Sequence, residues 1–381
     1  MSSVNLSRRY LLGAAAGCAL STALPSWAQA AGTPGATLFV DSSAADLTGV
    51  KRVAISAFVV EFQTADKATK DGFHIASLHI SDDTAAYSRW QDADSTLLQK
   101  IADDAYAALK ARFTALGIEV VDTAVLTADP TYKTLQSKAG FDSGANWDNA
   151  DGQSVVFGPM GLPPYMPYAL ELGNYECNPN PKLSKAGDNV ARNPSHRMQV
   201  GNWQIPGWEI DIAKALGATL VKAWYVVNFS ELSAGSKISD MTFFDDLGSG
   251  MSGVTTAYSA EARSFVRLRQ EQSRISFRLP TSAKKMGYKV KNYPGTLMAA
   301  PKDGDVVVAL GKPVGVGADM YSFVEGSSGA KGVGGALMGM LNSKQTFYID
   351  ATLNDPTAYS ARMRGALVGA QQTLLDAAFA R

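Results

Sequence analysis

Three histidines, two cysteines and the adjacent aspartates Asp82–Asp83 and Asp245–Asp246 are among the residues of this 381-residue chain whose types could carry catalysis or hold a metal. His74 and His79 lie in "FHIASLHI" at a spacing that puts them on opposite faces of a strand and off one face of a helix. With His196 they match no zinc-binding spacing, so no metal residue is assigned. Cys177, in "GNYECNPNPKL", could be a nucleophile, but a small buried hydrophobe is the favoured reading. Asp82 with Asp83 and Asp245 with Asp246 could supply an acid and a base; paired aspartates are commonplace on surfaces, and no catalytic role is assigned. The glycine-rich run "VEGSSGAKGVGGALMGML" lacks the Gly-Lys-Ser/Thr of a phosphate loop, because Gly332 follows Lys331. It reads as flexible loop or close helix packing. These residues identify no cofactor and lean away from an enzyme.

The first 30 residues read as an address. Arg8 and Arg9 precede an apolar run from Tyr10 to Leu24, and Ala28, Gln29 and Ala30 form the small-x-small pattern that a signal peptidase cuts. The run is shorter than the ~20 residues that cross a bilayer as a helix. The order Ser7, Arg8, Arg9, Tyr10, Leu11, Leu12 fits a twin-arginine signal, which exports folded proteins, as well as an ordinary secretory signal. Cys18, after Ala15, Ala16 and Gly17, offers the lesser alternative of lipidation, which alone would tie the chain to a membrane, the outer one. Both routes place the protein outside the cytoplasm, in the periplasm or envelope.

Basic and acidic residues balance at 35 each, and loss of the leader leaves about −2, which argues against nucleic acid as a partner. After cleavage at Ala30 only Cys177 remains, so no internal disulfide forms and the core must hold itself together. With 46% apolar and 18% charged residues the chain can build that core.

The elements that would position any site follow from periodicity. Residues 31–49 read as a loose tether, and 50–381 as one α/β domain. "VKRVAISAFVVEF" is a central, doubly covered strand. A helix beginning near Ser95 and ending at Gly117 leads to the strand "IEVVD", a strand-helix-strand unit that favours a parallel neighbour. Residues 123–206 are dense in Pro, Asn and Gly and read as a long irregular insertion containing one helix and the strand "QSVVF". A short helix turned by Gly217, a long strand from Thr219 to Phe229, an antiparallel hairpin, the strand "TFYID" and a closing helix from about Asp355 complete a mixed sheet with flanking helices.

Lys51 to Phe58, Ile118 to Asp122 and Leu216 to Ala218 follow the order basic-V-A-V-x-x-F, V-V-acid, L-G-A. That order resembles the α/β core of bacterial envelope lipoproteins that include the curli secretion channel and the penicillin-binding-protein activators, with kinship to the N-terminal domain of the Tol system's propeller protein. In this resemblance "RSFVRLRQEQSRISFRLP" corresponds to the hairpin after the core. It implies an exported protein that works through other envelope components.

Two surfaces are candidates for such contacts. Tyr165 and Tyr168 sit in the insertion, in "PMGLPPYMPYALELG". Arg267, Arg269, Arg274 and Arg278 would line a basic strip in water, either a solvated sheet face or a site for an anionic envelope component. The favoured function is thus an exported, non-enzymatic envelope accessory or binding protein acting through protein-protein contacts; the alternative is a twin-arginine-exported cofactor-binding enzyme or hydrolase.

Overall fold

The computed structural model describes residues 36–39, 47–70, 74–75, 78–79, 84–149, 152–165, 204–239, 255–270, 272–281, 288–293, 296–301, 305–325 and 345–379. In the first third β1 (Ala36–Phe39), β2 (Arg52–Lys70), β3 (His74–Ile75), β4 (Leu78–His79) and β5 (Thr84–Trp90) precede helix α1 (Ser95–Ala115). Then come β6 (Glu119–Val120), α2 (Thr123–Ala128), α3 (Pro130–Ala139), β7 (Ala145–Asn149), β8 (Gly152–Phe157) and α4 (Ile205–Leu216). The rest is β9 (Thr219–Ser239), β10 (Thr255–Leu268), β11 (Arg274–Arg278), β12 (Tyr288–Tyr293), β13 (Thr296–Pro301), β14 (Asp305–Leu310), β15 (Val314–Gly317), β16 (Tyr321–Glu325), β17 (Gln345–Leu353) and α5 (Pro356–Phe379). This is an α/β fold built on an open mixed sheet.

Local chemistry sets the boundaries. Asp94 caps α1 by accepting from the Thr96 amide at 2.8 Å, and Gly117 leaves the helix at φ 74°, a conformation costly for residues with a Cβ. Gly217 does the same for α4 at φ 57°, which aims the chain directly into β9. Asp355 accepts from the amides of Thr357 and Ala358 at 2.9 Å and starts α5. Along α5 the residues Tyr359, Met363, Leu367, Leu374 and Leu375 form its buried stripe.

At the centre β2 and β9 run parallel, paired from Val53 opposite Thr219 to Phe62 opposite Val227 with one shift of register between Ile55 and Ala57. Val53 to Gln63 and Ala218 to Ser230 are buried throughout, as expected of strands covered on both faces. Helices α1 and α5 lie on one face, where Phe58 meets Tyr106 of α1 at 5.5 Å and Gln371 of α5 donates to the Ala105 carbonyl at 2.9 Å. Helices α3 and α4 cover the other face, reached by Lys222 of β9.

Beyond this core the sheet forks. β2 exchanges β9 for β5, which pairs antiparallel with it from Ala65 opposite Arg89 to Lys70 opposite Thr84. β17 then runs parallel to β5, with β16 antiparallel at the edge. β9 goes its own way with β10, from Val227 opposite Leu268 to Ser239 opposite Thr255. At 21 residues β9 is about 70 Å long, against about 17–20 Å for an ordinary strand. Between the two branches Trp90, Phe229, Tyr321 and Tyr359 pack edge to face, with Trp90 and Tyr321 centred 5.2 Å apart.

Several expectations need correction. The segment "RSFVRLRQEQSRISFRLP" is not a hairpin: β10 and β11 both pair antiparallel with β9 and follow one another along it, β10 ending at Leu268 and β11 beginning at Arg274. There Ser273 takes over, its hydroxyl accepting from the Val226 amide at 3.1 Å. The antiparallel hairpins of the second half are β9 with β10, β12 with β13 and β16 with β17. The expected tether supplies β1, paired with β14, and buries Leu47. His74 and His79 do not share one strand; they are cross-strand partners in the β3–β4 hairpin. The insertion holds more regular structure than expected, with α2, α3, β7 and β8.

Five tyrosines, at positions 132, 165, 225, 321 and 359, are 4% exposed or less, and burial raises the pKa of each above the ordinary 10.0. The native state therefore keeps protons that the unfolded chain releases near pH 10, so this stability is complete below pH 10 and falls above it. At about 1.4 kcal/mol per pH unit per tyrosine, a domain of typical stability unfolds within about two units above pH 10. Tyrosinate absorbance from these five should rise together with loss of circular dichroism. Their ionisation near pH 10 with the fold intact would refute the packing.

Candidate functional site

A buried polar cluster lies under α4. The local period of β9 places Lys222 and Trp224 on the α4 side and Tyr225 on the α1 side, against Phe58 at 5.7 Å. On β11 the same alternation brings Arg278 to the α4 side. Glu209 points down from α4 between the two strands. Its Oε2 lies 3.0 Å from Lys222 Nζ and 2.6 Å from Arg278, and its Oε1 accepts from the Tyr165 hydroxyl at 2.9 Å.

A bulge completes the cluster. In β2 the residues Ile55 and Ala57 oppose the consecutive Val221 and Lys222, so Ser56 is the extra residue. Its carbonyl accepts from the Tyr132 hydroxyl at 3.1 Å, and its own hydroxyl lies 3.0 Å from that of Tyr165. Gln136 then donates to the Tyr132 oxygen at 3.0 Å. Burial, and next the Glu209 carboxylate beside it, push the Tyr165 phenol well above its ordinary range, so Tyr165 stays a neutral donor.

Chemically this arrangement is a brace. Glu209, Lys222 and Arg278 are all 5% exposed or less, and the carboxylate is engaged on both oxygens. Charges taken out of water persist only when paired and hydrogen-bonded. A second buried acid, Glu61 of β2, accepts from the Trp224 indole at 3.3 Å further along the same face. Among the described residues no three His, Cys, Asp or Glu side chains are placed to hold a metal ion, and no helix is long and apolar enough to cross a membrane.

The residues expected at binding surfaces are placed differently. Tyr165 is buried in the brace, and Met160, 79% exposed, is the large apolar residue of its loop that reaches solvent. Asp103 fixes that loop by accepting from the Met160 amide at 2.7 Å. Arg274 and Arg278 are buried rather than part of a strip in water, because β11 is a central strand between β9 and β14. Arg267 is half-buried, its guanidinium 4.7 Å from the Phe265 ring, and the Arg269 amide donates to the Val226 carbonyl at 2.8 Å. Arg8, Arg9, Cys18, Ala28, Ala30, Tyr168, Cys177, His196 and the two aspartate pairs lie outside the described residues. Glu209 and Lys222 were missed by the sequence reading, although an acid on the apolar stripe of α4 and a lysine inside an apolar strand are visible signals.

No protein-family model, curated protein or solved structure matches this chain.

If the cluster braces α4, Glu209→Ala should cost about 3–5 kcal/mol of unfolding free energy, since it takes a buried carboxylate away from two buried cations. Replacing Glu209, Lys222 and Arg278 together with methionine should cost less than the single change. Urea titration of both variants decides it, and a Glu209→Ala loss below about 1 kcal/mol would contradict the brace.

Proposed function

We propose that the chain is an exported, non-enzymatic protein of the cell envelope that works by contact with another envelope protein, through its projecting β-ribbons. One observation carries this reading: the parallel strands β2 and β9 do not end where a site would form. In open α/β sheets, ligands bind in the crevice outside the carboxyl ends of the parallel strands. Here both strands continue past that point, β2 into its pairing with β5 and β9 into its pairing with β10.

The β9–β10 ribbon is suited to capturing a partner. Over residues 230–239 and 255–264 each strand has only the other as its ladder partner among the described residues. A two-stranded ribbon is marginal by itself, and open strand edges are templates for a further strand. Main-chain pairing of that kind gives affinity, while alternate side chains give specificity. The leader ending at Ala30 and the resemblance to envelope lipoproteins support the same location.

The test shortens the ribbon. Ser233 and Glu261 are cross-strand partners, so residues 234–260, the outer part of the ribbon, can be replaced by an Asn-Gly turn without altering the register at its root. Crosslinking in the envelope of the host should join the full chain to a discrete protein, and the shortened chain should lose that product while keeping its unfolding temperature. An unchanged product would remove the ribbon from the contact.

A further inference from the structure

The root of the β9–β10 ribbon differs from the ribbon itself. Between Ser264 opposite Ser230 and Arg267 opposite Asn228, β10 carries one residue more than β9, a bulge that bends the strand and raises its twist. Two serines flank this bend and tie it to the other branch. The Ser230 hydroxyl donates to Asp66 Oδ2 of β2 at 3.0 Å and lies 3.1 Å from the Ser88 hydroxyl of β5. The Ser264 hydroxyl accepts from the amides of Met320 and Tyr321, at the start of β16, at 3.0 and 3.1 Å. Each clasp thus joins the ribbon to the β2–β5–β17–β16 branch by side-chain contact, with no backbone ladder between β9 and β5 or between β10 and β16 among the described residues.

We infer that the β9–β10 ribbon is a hinged arm, pivoting at the bulge and held in place by the Ser230 and Ser264 clasps. The bulge absorbs a change of direction without breaking the ladder on either side, as hinges of a few element-terminal residues do. The clasps are hydroxyl contacts, each worth little compared with the continuous β2–β9 ladder, so the arm is released at its root while the core stays closed. The motion rests on the contact function only for its purpose: it would let the arm meet a partner strand at more than one angle.

The test needs no partner. In a Cys18→Ser/Cys177→Ser background, spin labels on cysteines introduced at Ser233 of the arm and Thr352 of β17, both exposed, report the separation of the two branches by pulsed electron spin resonance. The parent should give one narrow distance distribution, and the Ser230→Ala/Ser264→Ala variant a broader one with added longer distances. Hydrogen exchange of the ladder amides at 232–239 and 255–262 should change less than twofold, because the arm moves whole. Ser233→Ala, with labels at Glu231 and Thr352, serves as a control that should leave the distribution narrow. An unchanged distribution in the double variant would overturn the hinge. So would a rise of tenfold or more in ladder exchange, which means melting, or equal acceleration in 53–60 of the core. None of these outcomes depends on the capture of another protein, so the hinge and the contact function fail separately.

Discussion

A parallel pair of strands buried on both faces, β2 beside β9, is the constraint on which the other elements depend. Eleven consecutive buried residues in β2 and thirteen from Ala218 to Ser230 leave no solvent-facing side, so helices must cover both. α1 and α5 do so on one face with aromatic and aliphatic packing. The other face is more costly to cover, because Lys222, Trp224 and Arg278 carry polar atoms that must find partners there. Glu209 meets Lys222 and Arg278 from α4, Glu61 of β2 accepts from Trp224, and Tyr165 and Tyr132 extend the network to the bulge at Ser56.

The same two strands explain why this α/β sheet has a different use for its far end. A doubly wound sheet that ends its strands together creates loops for ligands. Here the strands separate at Val227 and Ala65, and each becomes the root of an antiparallel branch. Apolar packing of Trp90, Phe229, Tyr321 and Tyr359 fills the angle between the branches. Further out, burial on β9 alternates from Glu231 to Ala234, where one side faces solvent.

Much of this fold was legible in the sequence because its signals are local. Asp94 and Gly117 bound α1, Gly217 turns the chain into β9, and the stripe from Tyr359 to Leu375 marks α5. What was not legible depends on pairing across long separations. Arg267, Arg269, Arg274 and Arg278 alternate like an exposed hairpin, yet β14 arrives from 30 residues further on and buries β11. Tyr165 lies in a proline-rich loop that reads as surface, and only the acid from α4 and the bulge in β2 draw it inside. The fork could not be read from β2 or β9 because a strand's pattern records burial and not the identity of its neighbours.

The brace, the fork and the open-edged ribbon together describe a rigid core that displays β-structure, which is the basis for reading the protein as a contact component of the envelope. Native mass spectrometry of the chain purified from its own host's envelope, followed by its denatured intact mass, tests that reading most directly. The account predicts a denatured mass beginning at Ala31, and a native mass that exceeds it only by whole protein partners. A small additional mass lost on denaturation would reveal a bound cofactor and contradict the non-enzymatic account.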